Sequence, residues 1–95
     1  MAERQEKLFE LANDAHEYYV DSVNVSTQLY GSTLYLGQIR PDQLPEVKAV
    51  VKISPPMLKI LSLIIASHVR QYETGVGPIP VPRELLHSLG LEEML

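Results

Sequence analysis

Residues 54–73 read SPPMLKILSLIIASHVRQYE, and this stretch predicts a long amphipathic helix. Ser54 offers a hydroxyl to an unpaired N–H of the first turn, and Pro55 and Pro56 stand where a missing amide donor does no harm. The helix is expected to run to about Glu73, with Gly75 as its stop. On a helical wheel Met57, Leu58, Ile60, Leu61, Ile64, Ile65, Val69 and Tyr72 fill a continuous arc of roughly half the circumference, with Leu63 outside it. Lys59, Ser62, Ala66, Arg70 and Glu73 form the opposite strip. A helix lying on one sheet needs an apolar stripe of only about 100°. The surplus must face something else, and the simplest candidate is a second copy of the chain. His68 lies near the centre of the arc, about 20° from Met57. The candidate interface residues are therefore Leu58, Leu61, Ile65, His68 and Tyr72. His68 is read first as a hydrogen-bonded core or interface histidine, and alternatively as a ligand or pH-sensitive group.

Upstream of this helix the apolar period falls to two. Val23, Val25, Thr27 and Leu29 share one face of a strand, with Asn24, Ser26, Gln28 and Tyr30 on the other. Gly31-Ser32 fits a two-residue hairpin turn that needs Gly in its first central position. The chain then returns antiparallel over Thr33–Arg40, with Leu29 facing Leu34 and Thr27 facing Leu36; a four-residue turn also fits. Pro41 and Pro45 mark a loop. Glu46–Ile53 forms a third strand, with Val47, Ala49, Val51 and Ile53 on one face and Lys48, Val50 and Lys52 on the other. Eight-residue strands span about 26 Å and a twenty-residue helix about 30 Å, so one helix can cover the sheet lengthwise.

At the N-terminus Leu8, Leu11, Ala15 and Tyr19 recur at three- and four-residue spacing among acids, which predicts a helix over residues 1–20. At the other end Pro78, Pro80 and Pro82 make an extended connector. A short helix, Pro82–Leu89, follows and is closed by Gly90. The expected fold class is α+β: N-terminal helix, three-stranded antiparallel sheet, long helix packed on the sheet, and short C-terminal helix. The domain organisation is a single domain over 1–95, with a core at 22–74 and the connector and last helix at 75–95.

Ninety-five residues with no Cys and no Trp leave room for one small domain. A chain of this size buries only roughly 60–65% of its unfolded surface and gains from a partner. The formal net charge of −4 argues against general nucleic-acid coating. The first 21 residues carry six acids and two bases, Ser22–Thr33 is uncharged, Leu34–Tyr72 carries five bases and two acids, and Glu73–Leu95 carries four acids and one base. An acidic N-terminus is unlike a signal peptide, and the apolar run Ile60–Val69 is too short to span a bilayer. The expectation is a cytoplasmic protein without membrane insertion.

His16, His68 and His87 fall on three different elements, and no HExxH, CxxC, P-loop or GxGxxG pattern occurs. No catalytic residue, metal ligand or cofactor is expected. Lys48 and Lys52 share a face with Tyr35. Basic residues interleaved with aromatics on a sheet are one way of holding single-stranded nucleic acid, but two lysines in an acidic chain favour a solvated face or a second packing surface.

One resemblance covers about Val23 to Ile79. Leu34-Tyr35-Leu36-Gly37-Gln38, the basic strand entering Ser-Pro at Val47–Pro55, a helix with Lys59, Leu63 and Val69 ending in Tyr72-Glu73, and Gly77-Pro78-Ile79 together resemble DUF3467, a family of small bacterial and archaeal proteins of unassigned activity. Leu34 stands where an aromatic is common in that family. The resemblance implies a fold unit and no catalytic residue. The function expected is a non-enzymatic, oligomeric assembly or adaptor module that binds itself and another protein. The alternative is a nucleic-acid-binding or regulatory protein using Tyr35, Lys48 and Lys52.

Overall fold

The computed structural model describes residues 8–94. The chain divides into two units, Met1–Ile53 and Ser54–Leu95.

The first unit contains three strands, β1 (Ser22–Gln28), β2 (Gly31–Gln38) and β3 (Glu46–Ile53), in one antiparallel sheet with β2 in the middle. The α+β class and the sheet follow the sequence expectation; the turn does not. Leu29 and Tyr30 make the two-residue loop, and Gln28 pairs with Gly31. Neither loop residue has a positive φ, so the turn is not of the primed kind that requires Gly inside it. Gly31 serves a different purpose. A Cβ there would sit 2.7 Å from the Ile53 carbonyl oxygen, so glycine lets the end of β3 run close against β2.

The register of the hairpin moves by an even number of residues: Thr27 pairs with Ser32 instead of Leu36, and Val25 with Leu34. An even slip leaves every side chain on its original face. Most of the apolar face is therefore as expected, with Val23 and Val25 beside Leu36 and Leu34, and these beside Ala49 and Val51; Val47, expected with them, instead opposes Gly37 and so lies on the Tyr35 face. Thr27 and Ser32 share a hydroxyl–hydroxyl hydrogen bond of 3.0 Å.

Between Leu36 and Gly37 the β2–β3 register shifts: Leu36 pairs with Ala49 and Gly37 with Val47. Lys48 is the extra, unpaired residue of a bulge. A Cβ on Gly37 would collide with the Glu46 carbonyl, which is why glycine stands at this position. In the β2–β3 loop the Arg40 guanidinium donates twice to the Leu44 carbonyl, at 3.1 and 2.9 Å. Asp42 takes φ 55, a left-handed conformation that Asp tolerates better than most residues.

The expected N-terminal helix is corrected over its described part. Residues 8–20 contain a turn at Asn13-Asp14 and no helix; residues 1–7 of the expected helix lie outside the described residues. The end of the segment is instead tied to β2 by hydrogen bonds. The Gln38 side-chain amide donates to the Tyr19 carbonyl (3.0 Å), the Asp21 N–H donates to the Gly37 carbonyl (3.1 Å), and the Ile39 N–H donates to the Asp21 carboxylate (2.8 Å). A short helix is marginal without a surface to cover its apolar stripe, and Leu8, Leu11 and Tyr19 are all well exposed.

The second unit opens with α1 (Pro55–Gly75). Ser54 caps it as expected, its hydroxyl accepting the Met57 N–H at 3.2 Å, with prolines at the first two helical positions. The helix includes Gly75 and closes at Val76, whose N–H donates to the Tyr72 carbonyl at 2.7 Å. The Glu73 carboxylate then accepts the Ile79 N–H at 3.0 Å, anchoring the proline connector to the helix end. The expected Pro82–Leu89 helix is α2 (Arg83–Ser88), flanked by Pro82 and Leu89 as its caps, with Gly90 at φ 71 just beyond. A 3₁₀ turn, Glu92–Met94, follows; its Glu92 carboxylate meets the His87 Nδ1 at 3.0 Å.

Candidate functional site

The arc proposed for α1 forms on a regular helix, and it is open. Ile60, Ile64, Ile65 and Tyr72 are 47, 50, 53 and 51% exposed, and His68 is exposed with them. Leu58 and Leu61 are half-buried. The five candidate interface residues succeed one another at intervals of three, four, three and four, the spacing that keeps a seam along one side of a helix. Leu58, Leu61, Ile65, His68 and Tyr72 therefore lie in one line along α1, and Met57, Ile60 and Ile64 run beside it. The imidazole sits in an aliphatic row, where its ring can pack while its nitrogens seek polar partners.

The sheet offers a second apolar surface. Directly opposed residues of an antiparallel pair share a face, which puts Val23, Val25, Leu34, Leu36, Ala49 and Val51 together. The two edge strands are mostly exposed, and β2 is mostly half-buried. Among the described residues no hydrophobic side chain is buried, and Ser32, at 4% exposure, is the buried polar one.

On the opposite face Tyr35 pairs with Val50, and Lys52 with Thr33, so Tyr35 and Lys52 are diagonal neighbours on one face. Lys48 is set apart by the bulge. Its ammonium lies 3.4 Å from the Glu46 carboxylate, which offsets its charge. The three residues considered for nucleic acid thus reduce to one aromatic ring and one lysine, Lys52, with no ion pair among the described residues. That is a thin platform for a polyanion, whose affinity is built from many phosphate contacts.

Other chemistry is sparse. Among the described residues no group of three or more His, Asp or Glu side chains could hold a metal ion, and no helix is long and apolar enough to cross a membrane. His16 lies near Tyr18, with ring centroids 6.1 Å apart. A shallow depression on α2 and the 3₁₀ turn is lined by Arg83, Glu84, His87 and Glu92. Sequence periodicity missed the free edges of the sheet, since it identifies faces and says nothing of which strand lies outermost. Comparison with protein-family models, with curated proteins and with solved structures returned no match.

Proposed function

We propose that this protein is a non-enzymatic self-assembly module. The α1 arc meets a second copy along Leu58, Leu61, Ile65, His68 and Tyr72. The terminal segments are the places for a further protein partner. Cytoplasmic location and kinship with DUF3467 belong to the same proposal.

The observation that carries it is the exposure of apolar surface. The chain is 45% hydrophobic, yet none of the hydrophobic side chains among the described residues is buried. Fully burying one Leu or Ile contributes roughly 1.5–3 kcal/mol, whereas a whole domain is stable by only about 0.05–0.15 kcal/mol per residue. Covering a handful of these side chains is therefore comparable to the entire stability of a chain this size.

Sedimentation at micromolar concentration tests the proposal. The wild-type protein is expected as a dimer or larger oligomer, and Ile65→Glu, which places a carboxylate in the seam, is expected to shift the population to smaller species. A wild-type chain that sediments as a monodisperse monomer overturns it.

A further inference from the structure

The sheet has two edges, and they differ in kind. An edge strand displays unpaired N–H and C=O groups, and proteins that must keep an edge free place lysines, prolines or bulges there. The β3 edge has all three: Lys48 and Lys52 within the strand, Pro45 just before it, and the bulge at Lys48. The β1 edge has none. Its sequence, Ser22-Val23-Asn24-Val25-Ser26-Thr27-Gln28, contains no charge and no proline, and its pairing with β2 is unbroken over all seven residues. Among the described residues its backbone makes no hydrogen bond beyond that ladder.

Resting on the self-assembly reading above, we propose that β1 pairs antiparallel with the β1 of a second copy, about a two-fold axis at Val25, to make one continuous six-stranded sheet. The strand is complementary to itself in this register. Val25 faces its own copy, Val23 faces Thr27, Asn24 faces Ser26 and Ser22 faces Gln28. Directly opposed residues share a face, so the apolar faces of the two sheets become one surface. A two-fold contact must tolerate each group meeting its own kind. The run Ser22–Ile39 has no Asp, Glu, Lys or Arg, so this acidic chain meets its copy here without like charges in opposition.

The chain has no cysteine, so Val25→Cys introduces a single thiol at the two-fold position. Mild oxidation is expected to link two full-length chains through it, far more extensively than through Tyr30→Cys at the loop tip. Adding Asn24→Lys with Ser26→Lys opposes like charges twice across the pairing and is expected to lower cross-linking about tenfold or more. Adding Asn24→Lys with Ser26→Glu opposes unlike charges instead and is expected to restore it. Both pairs of substitutions lie on the polar face, and circular dichroism of each variant checks that the sheet persists. Cross-linking through Val25→Cys no greater than through Tyr30→Cys, or indifferent to the charge pairs, overturns the inference. If the wild type remains an oligomer that Ile65→Glu disrupts while Val25→Cys fails to link, β1 pairing falls and the self-assembly reading stands; a monomeric wild type overturns both.

Discussion

Gly31 and Gly37 show how single residues set the sheet. Each stands where the β3 backbone approaches β2 too closely for a side chain: a Cβ on Gly31 would lie 2.7 Å from the Ile53 carbonyl oxygen, and one on Gly37 would meet the Glu46 carbonyl. Because the obstruction is backbone, relief requires the strands to separate. Gly31→Ala is expected to destabilise the fold by roughly 1–3 kcal/mol, the usual cost of overpacking. Denaturant titration at fixed protein concentration measures this, and an unchanged midpoint refutes the assigned contact. A glycine beside a turn reads naturally as part of the turn. Its partner here is a strand more than twenty residues away, which local spacing does not reveal. Lys48 illustrates the same limit: alternation placed it with Lys52, and a bulge enabled by Gly37 set it apart beside Glu46.

At the scale of elements, α1 was legible almost entirely because its determinants are local. Ser54 caps the third residue after it, and Pro55 and Pro56 hold the first turn. Ser54→Ala is expected to cost about 1 kcal/mol of helix stability, read as lower thermal stability by circular dichroism, while Ser54→Asp retains the cap and most of the stability. Equal behaviour of the two variants counts against the cap. The N-terminal segment had a comparable apolar period and did not become a helix over residues 8–20. Periodicity states which side of a helix would be apolar, and a short helix also needs something to lie on. Asp21 and Gln38 instead tie the end of that segment to β2. Most of the sheet faces were legible despite the wrong turn, because an even slip in register keeps a residue on its side, whereas the bulge carries Val47 to the other face.

For the whole molecule, the decisive property is apolar surface left open. A self-assembled protein couples folding to association, so its stability depends on concentration. Raising the protein concentration tenfold is expected to stabilise a dimer by about 1.4 kcal/mol, seen as a rise in the thermal midpoint. A midpoint independent of concentration from low to high micromolar contradicts assembly through α1 and through β1 alike. The apolar arc on α1 was readable from the wheel because a helix converts sequence spacing directly into angle. The free β1 edge was not, because strand order is a property of the sheet and of no single strand.

Composition and period were enough to establish the α+β class, the three strands, the long capped helix and the apolar arc centred near His68, since each depends on residues a few positions apart. Strand order, the Leu29-Tyr30 turn, the bulge at Lys48 and the tie between the N-terminal segment and β2 were decided only in three dimensions. In each of these, backbone groups distant in the chain had to find one another, and the side chains that permit the approach, or are absent to allow it, carry no periodic signature.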